Sequence, residues 1–427
     1  MTNGLDPDQE RILAQATQAF EADDAPRVRD ILDRHPMLKR MLDEPIGPFD
    51  SPAITRVRSR EMLDVLLDAG ADINGRSRWW AGGFGILDLA SPDVATYAIE
   101  RGARVDVHAA ARLGLLDALR ELLAQNPALV HARGGDGQTP LHMAQSVGAA
   151  AVLLDAGADM DARDVDHEST PAQYMAGDRL DVARHLVASG CQTDLLLAAA
   201  LGDFALSRQH LAANPGVIRM RVDGHWFPMR NAKAGGTIYQ WTLDFHASAH
   251  QIAHDRGHRD LWQLLIERSP PSLRLIEACW IGDGEAVQKY RTASGAASTF
   301  TPDEHVLVAH AARNNRTDAV RLMLECGLPV DAKGQHKATP LHWAAFHGNA
   351  EMARAILRFG PPLEATDADF NGTPLGWAIH GSEKGWFARS GDYAGTVALL
   401  LQAGVARPAA AGGSPAVRAV LNGTGAA

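Results

Sequence analysis

Four histidines at intervals of four residues form the first group in this sequence that could do chemistry: His246, His250, His254 and His258. Side chains four residues apart lie on one face of an α-helix, and histidine is the commonest metal ligand in proteins. A continuous helix through this segment would therefore present a stripe of imidazole nitrogens to a metal ion. Whether a metal site is predicted depends on where that helix begins and ends.

Two more histidines belong to a short motif that recurs. Residues 139–142 read Thr-Pro-Leu-His and return as residues 339–342, with weaker copies at 170–171 and 373–375. Threonine can cap a helix and proline fits its first turn, so each copy marks the start of a helix. The recurrence predicts a repeated helical unit.

Signatures of the common enzyme classes are weak. No nucleophile elbow, phosphate-binding loop or dinucleotide fingerprint stands out in the sequence. Residues 82–85 (Gly-Gly-Phe-Gly) are glycine-rich, but the last glycine of the dinucleotide fingerprint does not follow, so we interpret them as a turn. No cofactor is predicted.

Composition and charge narrow the classes of partner. The chain has 427 residues, of which 46% are hydrophobic, and a formal net charge of −10 from 51 acidic and 41 basic residues. No block of five or more Lys or Arg residues appears, whereas binding to a phosphate backbone requires a basic surface. Nucleic acid is therefore not an expected partner.

Cysteine usage and the N-terminus predict a cytoplasmic protein. The three cysteines, Cys191, Cys279 and Cys326, are widely spaced and odd in number, so no disulfide framework or zinc knuckle is expected. Met1–Glu10 is polar and acidic and lacks the basic start and apolar run of a secretory signal. No apolar run approaches the roughly 20 residues of a membrane helix, so no membrane contact is expected.

A second unit recurs beside the Thr-Pro-Leu-His motif, an apolar helix closed by a glycine. Its copies are residues 62–72, 152–159, 182–190, 320–327 and 397–404. Together the two units resemble the ankyrin-repeat family, of the bacterial type, whose signature is T-P-L-H-x-A followed by a second helix and a glycine. The eleven residues that begin at Thr339 (TPLHWAAFHGN) are a near-ideal copy.

This resemblance implies an all-α fold, an ankyrin-repeat solenoid of about twelve helix-turn-helix repeats. N-terminal repeats would cover residues 1–215 and C-terminal repeats residues 247–406. The insertion between them, residues 216–246, alternates apolar and polar residues around Gly235-Gly236 and is predicted to form a β-hairpin. The motif histidines are then hydrogen-bonding elements of the turn.

Two features break the repeat pattern near the C-terminus. Residues 381–392 (GSEKGWFARSGD) split the last repeat. Insertions of this kind are usually either functional or disordered, and the Trp and Phe content of this one argues against disorder. The tail, residues 407–427, is rich in Ala, Gly and Pro and is expected to carry a capping helix at 415–421.

The same resemblance sets the register of the spaced histidines. The first helix of an ankyrin repeat is short, so His246 would precede it and His258 would lie in the loop after it. Only His250 and His254 then remain as a helical pair. Two ligands without a nearby third do not make a metal site, so no metal is predicted and the role of this pair stays open.

The resemblance implies that the inner helices of the repeats line a concave face. Its contact positions are the residues just before each interhelical loop and about five before it. In the C-terminal half these positions collect one set of residues: Asp255, Arg256, Glu277, Trp280, His310, Arg313, Trp343, Phe346, His347, Trp377 and His380.

This set supports two interpretations. Trp and Arg dominate binding hot spots, and aromatic rings beside charged groups also suit a small-molecule pocket. Alternatively, Trp343 and Trp377 fill the core. Glu277 and His310 would lie on adjacent inner helices and could pair, either as a structural ion pair or as a general acid and base.

We therefore predict a monomeric interaction protein that binds a partner through its concave groove, centred on the C-terminal half. The alternative is an enzyme or small-molecule binder in the same groove, covered by the two insertions, with Glu277 and His310 as acid and base. The partner would be a protein in the first case and a small molecule in the second.

Overall fold

The structure, a computed structural model, describes residues 7–294 and 300–423. The first six residues of the predicted N-terminal region, residues 295–299 and the last four residues of the tail lie outside the described residues. Within these ranges the regular structure is helical, and β-pairing is limited to two isolated bridges, Gly47–Ser51 and Arg221–Ser248.

The α-helices follow one another in pairs along most of the chain. The first twelve are α1 Pro7–Glu21, α2 Ala25–Arg34, α3 Arg60–Asp68, α4 Ile86–Leu89, α5 Pro92–Glu100, α6 Val107–Leu113, α7 Leu116–Gln125, α8 Pro140–Met143, α9 Val147–Asp155, α10 Pro171–Met175, α11 Leu180–Ala188 and α12 Leu195–Leu201. The next are α13 Phe204–Ala213, α14 Tyr239–Thr242, α15 Ala249–Asp255, α16 Arg259–Arg268, α17 Pro271–Trp280, α18 Gly284–Ser294, α19 Pro302–His305, α20 Leu307–Arg313, α21 Thr317–Glu325, α22 Pro340–Phe346, α23 Ala350–Leu357, α24 Pro374–Lys384, α25 Tyr393–Gln402 and α26 Pro415–Leu421.

Short 3-10 turns connect several of these helices. They span Pro36–Met41, Pro48–Asp50, Ala53–Arg56, Pro127–His131, Gly135–Gly137, Pro215–Arg219 and Gln335–Lys337. No helix in the described part of the chain is long and apolar enough to cross a bilayer.

The chain packs as two compact units. The first contains the chain up to Leu201 together with Val222–Asp244. The second contains Gly202–Arg221 and the chain from Phe245 onward. The segment from 216 to 246 is therefore divided between the units, with its central part in the first.

The predicted β-hairpin at 216–246 is wrong. The segment forms turns and the short helix α14 instead, because its polar and apolar groups find partners in the neighbouring repeats of the first unit. The Gly235 N–H donates to the Asp166 carbonyl at 2.9 Å, and the fully buried Tyr239 donates its hydroxyl to Asp194 at 3.0 Å. The alternating pattern thus reflects burial against helices rather than pairing between strands.

The repeated motif builds the same helix start in both units, as predicted. In α22, Nδ1 of His342 accepts from the Thr339 N–H at 3.1 Å and the Thr339 hydroxyl at 2.8 Å. Its Nε2 donates to the Gly372 carbonyl, 3.1 Å away in the next repeat. His142 makes the corresponding bonds to Thr139 and Ser169. These histidines are therefore structural links between successive repeats.

We expect His342→Ala to lower the free energy of unfolding by about 2–3 kcal/mol, because it leaves the buried Thr339 N–H without a partner and removes one of two hydrogen bonds to the Gly372 carbonyl, which also accepts from the Asp367 N–H at 3.1 Å. Urea unfolding followed by circular dichroism measures this loss. His342→Gln is the control, since Gln173 at the same position of α10 accepts from the Thr170 N–H at 2.9 Å. Equal losses for the alanine and glutamine variants would contradict a capping role.

Helix packing in the second unit follows from small residues on facing helices. Helices α20, α22 and α24 pack side by side, as do α21, α23 and α25. Ala311, Ala312, Ala344 and Ala345 are fully buried, which allows the close approach of α20 and α22. Beyond α25, the apolar Val417 and Leu421 of α26 join the same core.

Candidate functional site

The predicted groove residues of the second unit differ widely in exposure. Six of the set are buried: Glu277, Trp280, His310, Trp343, His347 and Trp377. Arg256, Arg313 and Phe346 are half-buried, while Asp255 and His380 are exposed. Only part of the predicted set is therefore accessible to a partner.

The tryptophans of α22 and α24 pack against each other. The rings of Trp343 and Trp377 meet edge to face with centroids 5.0 Å apart, and Phe346 lies 5.7 Å from Trp377. Trp377 also donates its Nε1–H to Asp367 at 2.9 Å. This arrangement favours the interpretation of Trp343 and Trp377 as core residues.

The insertion at 381–392 folds onto this aromatic core. Helix α24 continues to Lys384, and Gly381 permits its close approach to α22, since a Cβ there would lie 2.4 Å from the Phe346 carbonyl oxygen. Trp386 then stacks on Trp343 at 6.1 Å and meets the Phe346 ring edge-on at 5.3 Å. Its side chain nevertheless remains 59% exposed.

Arg313 lies within an aromatic frame. Its guanidinium carbon is 3.8 Å from the centroid of Phe245, 5.2 Å from Trp386 and 5.6 Å from Trp343. Its Nε donates to Gln335 at 2.7 Å. Cation–π attraction and this hydrogen bond hold the charge of Arg313 in place.

Two further aromatic side chains extend this region. His336 lies between the rings of Trp343 and Phe370, at 6.1 and 5.5 Å, and Phe370 is 71% exposed. We call the five neighbouring accessible residues the exposed patch: Arg313, His336, Phe346, Phe370 and Trp386. The sequence prediction missed three of them, although Trp386 lies in an insertion that its aromatic content had marked.

A charged pair lies at the other end of the predicted set. Arg316 donates to Asp255 at 2.6 Å, and its guanidinium carbon is 5.6 Å from the buried ring of Trp280. Asp255 also accepts from His254 at 3.1 Å. Burial lowers the pKa of the neighbouring Arg256. Arg316, which was not predicted, thus links Asp255 to the core.

Glu277 does not pair with His310. Its carboxylate accepts from Arg221 at 2.6 Å, and His250 Nδ1 is 3.9 Å away. Arg221 and Glu277 are both buried, and Glu277 has no measurable exposure. The predicted pairing of Glu277 with His310 is therefore not formed. Glu277 instead makes a buried ion pair with Arg221, and this ion pair attaches the segment around Arg221 to α17.

His310 stacks on another histidine instead. Its ring lies parallel to that of His246, with centroids 3.3 Å apart. Burial lowers the pKa of His246 to about 3 and that of His310 well below its usual range, and the nearby Arg221 and Arg313 act in the same direction. Both rings are therefore neutral at physiological pH.

The spaced histidines do not converge on a metal site. Helix α15 begins at Ala249 and ends at Asp255, so only His250 and His254 lie in it, as the register predicted. His250 is fully buried and bonds Ser269 at 2.7 Å, and burial lowers its pKa. His254 is exposed. The two rings therefore have different environments and different partners.

A group with metal-ligand geometry lies in the first unit. Donor atoms of Asp136, Asp166 and His167 are all within 4.8 Å of one another. Burial and the neighbouring carboxylates of Asp166 and Asp164 raise the pKa of Asp136 to about 6, against the opposing effect of His167. No repeated ligand spacing marks this group in the sequence, because Asp136 comes from one loop and Asp166 and His167 come from the next.

Comparisons with known proteins support repeats in both units. The family model described as "Ankyrin repeats (3 copies)" matches residues 275–367 and 308–405, and the single "Ankyrin repeat" model matches residues 136–165. The predicted total of about twelve repeats stays a prediction, since the matches do not cover the remaining residues.

Curated relatives match over short stretches. The palmitoyltransferase Hip14 of Drosophila melanogaster is 34% identical over 85 residues, 20% of this chain and 12% of that protein. The palmitoyltransferase AKR1 of Kluyveromyces lactis is 32% identical over 120 residues, 27% of this chain and 16% of that protein. An ankyrin repeat and LEM domain-containing protein 1 homolog of Caenorhabditis elegans is 42% identical over 62 residues, 14% of this chain and 9% of that protein.

Each match spans less than a fifth of the relative's length, so the activity of the whole relative does not carry over. Among solved structures, the ankyrin repeat domain of human ASB11 is 22% identical and covers 72% of this chain and 100% of its own, with a TM-score of 0.29. Superposition at that score supports no argument about a site.

Proposed function

Because this chain is an ankyrin-repeat protein, we propose that it binds a protein partner through the concave groove of its second unit, at the exposed patch. Stacked repeats present extended concave surfaces, and the family generally uses its repeats to bind proteins. The observation that carries the proposal is the exposure of Trp386 (59%) and Phe370 (71%) beside the half-buried Arg313. Large apolar side chains exposed together are typical of an interaction site.

The composition of the patch suits a binding hot spot. Trp and Arg are enriched among residues whose truncation costs a complex most of its affinity. Arg313 is already ordered by Phe245 and Gln335, so a partner would lose little side-chain entropy in fixing it. The net charge of −10 favours a basic or neutral partner.

Burial argues against catalysis by Glu277 and His310. A general acid or base must come within hydrogen-bond distance of its substrate. Glu277 has no exposed surface and His310 has 7%, and each is in contact with another side chain, Arg221 and His246 respectively. We therefore propose binding rather than an enzymatic reaction for this groove.

We also propose that the protein is a cytoplasmic monomer. Cys191, Cys279 and Cys326 form no disulfide, and the Sγ atoms of Cys279 and Cys326 are 3.9 Å apart as a thiol pair, which suits a reducing compartment. Helix α26 covers the apolar face of the last repeat with Val417 and Leu421, as a capping element does.

The proposal predicts that Trp386→Ala weakens partner binding about 30-fold, as expected for the loss of a hot-spot tryptophan. Peptides selected from a displayed random library against the full-length protein serve as the probe, and their affinities are measured by titration calorimetry. Trp241→Ala is the matched control, because Trp241 is similarly exposed (69%) but lies in the first unit.

Binding that depends on Trp386 and not on Trp241 would support the exposed patch. Selected peptides that bind both variants as tightly as the unaltered protein would overturn it. Phe370→Ala provides a second measurement, since Phe370 is 71% exposed and its removal opens no core cavity.

A further inference from the structure

Two loop tips and the insertion meet in the first unit. Asp136 lies in the tight turn Gly135–Gly137, with a positive φ of 54°. Its carbonyl oxygen accepts the N–H groups of Val165 and Asp166 from the next loop, at 2.8 and 3.1 Å. That loop in turn accepts the Gly235 N–H of the insertion through the Asp166 carbonyl. Backbone bonds thus fix the positions of all three segments.

Three side chains converge where these segments meet. Nε2 of His167 is 3.9 Å from Oδ2 of Asp136 and 3.7 Å from Oδ2 of Asp166. These distances are too long for hydrogen bonds. The side chains of Asp136 and Asp166 are only 13% and 8% exposed, and Oδ1 of Asp136 is buried without a hydrogen-bond partner among the described residues. Two carboxylates therefore lie within ion-pair distance of one imidazole nitrogen without a hydrogen bond to it.

The orientation of His167 suits it to coordinate a cation. His167 is nine-tenths buried, and its Nδ1 lies 2.7 Å from the Gly236 carbonyl, which can only accept a hydrogen bond. In the neutral imidazole the proton is then on Nδ1, and Nε2 is left to face the two carboxylates as a ligand atom. A backbone carbonyl that fixes the tautomer in this way is the usual support of a metal-ligating histidine.

The second unit contains the same loop pair with different side chains. There the Ala368 N–H donates to the His336 carbonyl at 2.8 Å, just as the Val165 N–H donates to Asp136. The positions of Asp136, Asp166 and His167 are taken by His336, Asp369 and Phe370.

His336 and Asp369 bond each other directly, with Nδ1 and Oδ2 2.6 Å apart. In the second unit, two side chains of this loop pair therefore hydrogen-bond to each other. In the first unit, the same backbone arrangement leaves the carboxylates of Asp136 and Asp166 3.9 and 3.7 Å from Nε2 of His167.

We propose that Asp136, Asp166 and His167 bind one Zn²⁺ ion, which ties the insertion and two repeat loops together. Imidazole nitrogen and carboxylate oxygen are zinc ligands, with bonds of about 2.0–2.2 Å, and three protein ligands leave a fourth position for water. Ca²⁺ and Mg²⁺ prefer sites made of oxygen alone. The two carboxylates balance the charge of the ion, and small side-chain rotations bring the donors to bonding distance.

Equilibrium dialysis of the chelator-treated full-length protein against ZnCl₂ tests the proposal. We expect one Zn²⁺ per chain, and at least a hundredfold weaker binding in Asp136→Asn and in His167→Phe. Asn preserves the shape of Asp136, and Phe occurs at the position of His167 in the second unit. Asp369→Asn is the matched control and should leave zinc binding unchanged.

Substitution of Co²⁺ for Zn²⁺ supplies a second readout. Visible absorption bands of four-coordinate cobalt should appear with the unaltered protein and with Asp369→Asn, and be lost in His167→Phe. Zinc binding that is equally tight in Asp136→Asn and His167→Phe, or the lack of a bound equivalent in the unaltered protein, would overturn the proposal. Circular dichroism verifies that each variant is folded.

Discussion

Glu277→Leu is expected to lower the free energy of unfolding by about 3–5 kcal/mol, because it leaves the guanidinium of Arg221 buried without its counter-charge. Arg221 is 7% exposed and Glu277 is 0% exposed, so solvent cannot replace the lost partner without opening the core. Urea unfolding followed by circular dichroism measures the loss. This substitution also removes the bond that attaches the Arg221 segment to α17.

The double variant Arg221→Met/Glu277→Leu separates charge from packing. Buried ion pairs can often be replaced by apolar residues of similar volume at little cost, whereas removal of one partner is severe. We expect the double variant to recover at least half of the stability lost in Glu277→Leu. The recovery should be incomplete, since Arg221 also donates to the His246 carbonyl at 3.2 Å. A double variant less stable than Glu277→Leu would contradict the ion-pair interpretation.

Acidification is expected to destabilise the second unit through the stacked pair His246 and His310. Both folded-state pKa values lie below the unfolded value of about 6.5, so the unfolded chain binds more protons once the pH falls below that value. The stability is fully present above about pH 7 and is lost as the pH falls. With a folded-state pKa of about 3, His246 alone accounts for about 2 kcal/mol between pH 7 and pH 5.

The variant His310→Phe tests the pH effect while keeping a ring against His246. It removes one titrating group, so the slope of stability against pH between pH 6 and pH 5 should fall by about 1.2 kcal/mol per pH unit. Unfolding at each pH is followed by tryptophan fluorescence. An unchanged slope would show that folding does not lower the pKa of His310. His142, in the first unit, has a pKa near 3 for the same reason of burial and supplies part of the remaining slope.

Features that depend on contacts close in sequence were predicted correctly. His342 bonds Thr339, three residues away, so the motif alone specifies the helix start. The same kind of local signal predicts where α15 begins and ends, and these limits place His246 and His258 outside the helix. Local hydrogen bonds and helix periodicity are properties of a short peptide, which is why a repeated motif predicts them.

Features that depend on distant partners were decided only by tertiary structure. Glu277 and Arg221 are 56 positions apart, and Trp386 meets Trp343 through an insertion that interrupts the repeat. The repeat pattern predicted Glu277 and His310 on adjacent inner helices. It contained no information about the side chains outside the pattern, Arg221 and His246, that contact them in the structure.

The sequence by itself thus determined the repeat family and the starts of the helices that carry the motif, because short-range hydrogen bonds and apolar periodicity specify them. Tertiary structure decided which of the predicted groove residues are buried, what Glu277 and His310 contact, and where the insertions pack. Burial and ion pairing depend on side chains from several loops at once, and two segments outside the repeat pattern, around Arg221 and Trp386, supply the decisive contacts. We therefore propose the exposed patch, rather than the buried tryptophans beside it, as the binding surface.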